Sequence, residues 1–169
     1  MRDVEVFAGE LPVFDPLMAP DTPSELFTEW LLGALEAGVR EPHAMTVSTA
    51  GADGNPTART LILKGVGPDG WRFASDGGSV KARDLAQRPF AALTFYWSPL
   101  GRQVAQRDAA VKQSLERLED EPDLVAPGWT LHTVRPESVE FWQGDKERRH
   151  TRLVYVREVG GWRKQLLWP

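Results

Sequence analysis

Hydrophobic positions along the chain change period near residue 40. Leu26, Phe27, Trp30, Leu31, Ala34 and Leu35 recur at helical spacing. The preceding Thr22-Pro23-Ser24-Glu25 has a hydroxyl to cap, a proline for the first helical position and a glutamate three residues after the cap. With Gly38 as terminator, one amphipathic helix is predicted. Beyond it the period falls to two. Strands are predicted over 44–49, 57–66, 71–75 and 90–97, separated by Gly51-Ala52-Asp53-Gly54-Asn55-Pro56, by Gly67-Pro68-Asp69-Gly70 and by a short helix from Ser79 to Gln87. Residues 107–120 have helical character, and four more strands are expected near 129–135, 138–142, 149–157 and 162–167.

Short hairpin connections join antiparallel neighbours. Eight or nine strands with few helices therefore predict a mainly β fold, an antiparallel barrel with flanking helices. Residues 1–22, with Pro12, Pro16 and Pro20 and little periodicity, form an extended N-terminal arm in this reading, and residues 23–169 a single domain.

Composition narrows the partners. A chain of 169 residues, 41% hydrophobic and 26% charged, suits one globular domain, and a net charge of -4 argues against a general nucleic-acid binder. With no cysteine, disulfides and thiolate metal sites are excluded, and His43, His132 and His150 are too scattered to suggest a zinc site. The first residues lack a basic region followed by an apolar stretch, and no apolar run is long enough to span a bilayer, so a soluble, cytoplasmic protein without a membrane partner is expected.

Three stretches could carry chemistry. The strand ARTLILK (58–64) is bounded by cations, with Arg59 on the face of Leu61 and Leu63 and Lys64 on the face of Thr60 and Ile62. In FASDGGSVKARDL (73–85) a strand end, a Gly77-Gly78 turn, Ser79 and Lys81 precede a helix, a composition that suits a phosphate without being a Walker loop or a GxGxxG fingerprint. In EFWQGDKERRHTRLVY (140–155), a strand beginning near Arg148 would put Arg148, His150 and Arg152 on one face. Each taken alone is also compatible with solvated strand ends. His43 and His132 are assigned no role.

In order along the chain, ARTLILK, GWRFASDGGSVKARDL, PFAALTFYWSPLGRQV, EFWQG, RRHTR and GWRKQLLWP resemble the pyridoxamine 5'-phosphate oxidase family over about residues 23–104 and 125–169. The resemblance implies a split β-barrel homodimer that binds FMN at the subunit interface. The implied activity oxidises pyridoxine or pyridoxamine 5'-phosphate, or a similar small aromatic substrate, with O2 as acceptor. It implies FMN contacts at Arg59, Thr60, Leu61, Ile62, Leu63, Lys64, Ala74, Ser75, Lys81, Gln103, Trp142 and Arg152. Substrate contacts fall on Lys64, Arg148 and His150, of which Arg148 and His150 are the implied catalytic pair.

The chain also departs from the family pattern. Val80 stands where the family usually has arginine, Arg149 where it often has leucine, and Thr151 where it often has aspartate, so an acidic partner for the basic cluster is expected to be missing. In the family the strand holding Gln103-Val104 continues, and a further segment supplies substrate contacts. Here AQRDAAVKQSLERLEDEP follows directly, so a segment between Val104 and Ala105 is expected to be absent or omitted. A phenazine-type oxidase of secondary metabolism and a flavin-binding barrel without turnover are the alternatives.

Overall fold

The computed structural model describes residues 6–7, 9–114 and 128–168. They form two compact units, Met1–His43 with Thr94–Gln106 and Ser138–Pro169, and Ala44–Leu93 with Arg107–Glu137.

The first unit opens with an arm that has a 3-10 turn at Pro16–Met18 and then enters α1 (Pro23–Glu36). Its capping box forms as the sequence predicts: Glu25 N–H donates to Thr22 Oγ1, and Thr22 N–H donates to Glu25 Oε2. The helix ends in a Schellman turn, with Val39 N–H donating to the Ala34 carbonyl, Gly38 N–H to Leu35, and Gly38 at φ 70°. Leu26, Phe27, Trp30 and Ala34 supply the buried stripe. Phe27 packs on Phe95 with ring centroids 4.8 Å apart, and Trp30 meets Phe141 edge-on at 5.2 Å. The strands of this unit are the end of β4 (Phe90–Trp97), the start of β5 (Arg102–Ser114), then β7 (Ser138–Gln143), β8 (Thr151–Glu158) and β9 (Gly161–Leu167), in the order β5-β7-β8-β9. Tyr155 Oη donates to the Pro20 carbonyl and Lys164 Nζ to that of Ala19, tying the arm to β8 and β9.

The second unit holds β1 (Ala44–Ala50), β2 (Pro56–Gly67), β3 (Gly70–Asp76), α2 (Val80–Gln87), β6 (Trp129–Arg135) and the remaining parts of β4 and β5, in the order β4-β1-β2-β3-β6-β5. The β1–β2, β2–β3, β3–β6 and β6–β5 pairings are antiparallel, as the short turns predict. Met45, Val47, Leu63, Trp71, Phe73, Leu85, Leu93 and Val134 are buried. All eight predicted strand segments are present.

Two expectations fail. Residues 107–114 are strand rather than helix, and 115–120 lie outside the described residues. Residues Ala110 to Ser114 pair with Arg135 to Leu131 of β6, whose edge a helix would leave unpaired, so sheet completion overrides local helical propensity. The last hairpin also begins later than expected: β8 starts at Thr151, leaving Arg148 and His150 in the preceding loop.

Candidate functional site

The second unit concentrates basic and hydroxyl groups around β2, the end of β3 and the start of α2. Arg59 Nη1 donates to the Val47 carbonyl and to Thr49 Oγ1 at 2.8 Å, and its Nη2 donates to Thr57 Oγ1. Both threonine hydroxyls donate in turn to the buried carboxylate of Asp84, at 2.7 and 3.1 Å. Each hydroxyl spends its proton on Asp84 and so keeps a lone pair for the guanidinium. The arginine is thereby oriented by a negative charge it does not touch.

At the helix start, Ser79 caps α2 by accepting from Ala82 N–H, and Lys81 Nζ donates to the same Oγ at 3.2 Å. Burial lowers the Lys81 ammonium pKa, the nearby Arg59 lowers it further, and Asp76 acts the other way. Two cations held within electrostatic reach, beside the positive end of a helix, form a cradle whose repulsion an anion relieves.

The bulge of β2 answers a difficulty raised by strand alternation. Leu63 pairs with Phe73 but Gly65 with Arg72, so the register slips at Lys64. A bulge re-aims its side chain, and Lys64 is not bound to the face that alternation from Thr60 and Ile62 would dictate. Of the other predicted residues in this unit, Thr60 is exposed, Leu61 and Ile62 are half-buried, Leu63 is buried, and Ala74 and Ser75 lie at the end of β3.

The first unit brings another group of predicted residues together. The rings of Trp142 and His150 lie 4.8 Å apart, and Phe7 of the arm packs on both, at 5.9 and 6.1 Å. His150 Nδ1 accepts the Asp145 N–H at 3.0 Å, so in the neutral ring the proton resides on Nε2, which is left as a donor. Asp145 Oδ1 accepts from the N–H groups of Glu147 and Arg149, folding the loop into a tight turn, and these bonds hold its carboxyl below the usual carboxylate range.

Arg148 occupies that turn at φ 66°, a left-handed conformation unusual for a non-glycine residue. The common face expected for Arg148, His150 and Arg152 is therefore not a strand face, because the chain between the first two is looped. Arg152 alone sits in β8. Its Nε donates to Glu140 Oε1 at 2.7 Å and its Nη1 to the Trp168 carbonyl at 3.0 Å. The basic cluster thus has an acidic partner after all, supplied by β7 rather than by position 151. Gln103 is half-buried in β5.

Three groups were not singled out by sequence. Arg102 is buried, its guanidinium 4.2 Å from the Trp30 ring centroid and its Nε donating to Gln143 Oε1; burial lowers its pKa to about 10. Gln143, within the FWQG motif, also donates to the Leu100 and Gly144 carbonyls, so this glutamine is a brace for the turn. His132 is buried in β6, and its alternation with the buried Val134 was the available signal.

Residues 129–169 match the profile of the pyridoxine 5'-phosphate oxidase C-terminal dimerisation region. A pyridoxine/pyridoxamine 5'-phosphate oxidase from Rubrobacter xylanophilus is 36% identical over 191 positions, covering 89% of this chain and 88% of the relative. The chain belongs to the pyridoxine/pyridoxamine 5'-phosphate oxidase family. A family member of the same name from Myxococcus xanthus is 33% identical over 194 positions, covering 90% of this chain and 94% of its own.

Among solved structures, PhzG from Burkholderia lata 383, determined with tetrahydrophenazine-1-carboxylic acid, superposes with a TM-score of 0.82 at 24% identity, covering 95% of this chain and all of that one. A pyridoxamine 5'-phosphate oxidase-related, FMN-binding protein from Nostoc punctiforme gives 0.70 at 19% identity, covering 88% and 98%. These two share the fold. The alignments to the family's oxidases carry a further fact. They run over 191 and 194 positions but use 89% and 90% of 169 residues, about 150, so each relative has about 40 residues without a counterpart here.

Proposed function

We propose that this protein is an FMN-dependent oxidase converting pyridoxine or pyridoxamine 5'-phosphate to pyridoxal 5'-phosphate, with O2 as the electron acceptor, acting in the cytoplasm as a homodimer with FMN at the subunit interface. The observation that carries the reading is the Arg59–Lys81 cradle beside the Ser79 helix cap, in a member of a family of pyridoxine/pyridoxamine 5'-phosphate oxidases. A phosphate dianion matches two cations and a capped helix start in charge and in donor geometry.

In this reading Arg59, Ser75 and Lys81 hold the FMN phosphate, Thr60 to Lys64 and Ala74 line the cofactor, and Gln103, Trp142 and Arg152 are further FMN contacts implied by the family resemblance. When bound, FMN supplies the two-electron acceptor chemistry. The protein's own task is to hold C4' of the substrate in line for transfer and to bind its phosphate. Lys64 and Arg148 offer cations for that phosphate, and His150 Nε2–H offers a directed donor. With pyridoxine 5'-phosphate two electrons and two protons leave the C4' alcohol, which becomes the aldehyde. With pyridoxamine 5'-phosphate they leave the C4' amine, and water hydrolyses the resulting imine to the aldehyde and ammonia. In both cases O2 is reduced to hydrogen peroxide.

A second reading follows from the missing residues. The alignments leave about 40 residues of each relative without a counterpart here, and we propose that the segment expected between Val104 and Ala105 is among them. Together with Val80, Arg149 and Thr151, this favours a changed substrate, as in a related FMN oxidase of secondary metabolism. Purified protein incubated with FMN should show a bound-flavin spectrum and release peroxide with pyridoxine 5'-phosphate. Flavin binding without that turnover would reject the vitamin substrate, and no flavin binding would reject both readings.

A further inference from the structure

His132 and Ser75 form a buried pair that the proposed chemistry does not yet use. They lie diagonally across the β3–β6 ladder, in which Phe73 faces His132 and Ser75 faces Thr130. The imidazole is fully buried and stacks on Phe73, with centroids 4.9 Å apart and planes 18° from parallel. Its Nε2 is 3.2 Å from Ser75 Oγ, and its Nδ1 has no hydrogen-bond partner among the described residues. Burial, reinforced by the charge of Lys81, lowers the pKa of the ring to about 4, so it is neutral in ordinary buffers and carries one N–H.

Two tautomers are available. With the proton on Nδ1, a buried N–H would have no acceptor, while Nε2 accepted from the serine. With the proton on Nε2, that N–H donates to Ser75 Oγ and only a lone pair on Nδ1 goes unmatched. Orphaned buried donors are rarer in proteins than under-used acceptors, so the second arrangement is favoured. It has a consequence for the serine. Ser75 Oγ already receives a hydrogen bond and must direct its own proton elsewhere. The one acceptor within reach among the described residues is the Asp76 carbonyl, at 3.4 Å the outer limit for a hydrogen bond.

We propose that His132 is a positioning residue that fixes the Ser75 hydroxyl as a hydrogen-bond donor to the phosphate group of the cofactor. The proposal rests on the reading that the Arg59–Lys81 cradle takes the FMN phosphate. Ser79 Oγ donates to the same Asp76 carbonyl that Ser75 Oγ reaches, and Lys81 Nζ donates to Ser79 Oγ, so the serine pair and the cradle belong to one neighbourhood. An anion needs donors there, and a freely rotating serine would present either a proton or a lone pair. The histidine removes that choice.

The test compares FMN with riboflavin, which lacks the phosphate, by titration of the unmodified protein, His132→Phe, Ser75→Ala and the double variant. Phenylalanine keeps the stack on Phe73 and removes Nε2. The expected result is an FMN Kd raised about tenfold in His132→Phe, the loss of one charge-assisted hydrogen bond, with riboflavin affinity unchanged within about twofold. Ser75→Ala should show the same selective loss, the double variant should be no worse than Ser75→Ala, and His132→Gln, which can still donate, should recover most of the preference. Equal losses for FMN and riboflavin, or additive losses in the double variant, would overturn the positioning role alone. Failure of the unmodified protein to bind FMN would overturn the function and this role with it. Should His132→Phe not fold, nitrogen-15 shifts of the His132 ring in the unmodified protein decide independently: a proton on Nε2 is expected, and one on Nδ1 would refute the proposal.

Discussion

Arg152 and Glu140 meet diagonally across the β7–β8 pair, with Nε 2.7 Å from Oε1 and the Glu140 side chain only 13% exposed. This bond raises the Arg152 pKa and keeps the guanidinium directed along the sheet face instead of into solvent. Glu140→Ala should cost about 1–2 kcal/mol of stability in urea unfolding, more than an exposed pair would, because the partner arginine is left without its charge-assisted bond. Arg152→Ala, Glu140→Ala and the double variant form the cycle that isolates the pair.

The Asp145 turn gives a second prediction, on activity. Asp145→Ala removes the acceptor for the Glu147 and Arg149 N–H groups and loosens the loop that carries Arg148 and orients His150. We expect kcat/KM to fall about tenfold with FMN affinity unchanged, the signature of lost substrate positioning. Asp145→Asn retains an acceptor oxygen and should keep most of the activity. Equal behaviour of the two variants in steady-state assays would rule out the turn as the cause.

Arg148 should show opposed effects on stability and activity. Its φ of 66° costs an L-residue about 1 kcal/mol that glycine does not incur. Arg148→Gly is therefore expected to be at least as stable as the parent by thermal unfolding, and at least tenfold slower on a phosphorylated substrate. A destabilised Arg148→Gly protein would show that the guanidinium has a structural role.

The pH dependence of stability follows from His132. Its folded pKa of about 4 lies below the ordinary histidine value of 6.5, so between these values the unfolded chain binds more protons than the folded one. Stability should fall as pH drops from about 6.5 to about 4, and this contribution should level off below pH 4. In His132→Phe that slope should be shallower in urea titrations over the same window.

The local steps of the fold were legible because short-range chemistry dictates them. Thr22 to Glu25 specify their capping box, and the run from Phe90 to Trp97 is strand from end to end. The segment 107–114 was misread for a physical reason: Ala, Lys and Gln favour helix locally, whereas the backbone of β6 demands a partner across 110–114. Arg148 was misplaced because a period of two was extended backward through a turn that Asp145 closes. Glu140, by contrast, was readable in principle, since Ser138, Glu140 and Trp142 share a face and Trp142 pairs directly with Arg152. The tautomer of His132 was beyond any sequence pattern, because it depends on which buried atoms meet across β3 and β6.

The ties from Tyr155 to Pro20 and from Lys164 to Ala19 also set an order in time. They join residues 135 and 145 positions apart, and the Trp30 ring of α1 packs on Phe141. During synthesis, α1 emerges more than a hundred residues before these partners exist, with Trp30 still lacking its Phe141 contact. Ala44 to Leu93 are made in the interval, and chain growth at about 5–20 residues per second makes that wait several seconds or more. A ribosome stalled before Phe141 would therefore leave Trp30 of the first helix without that aromatic partner.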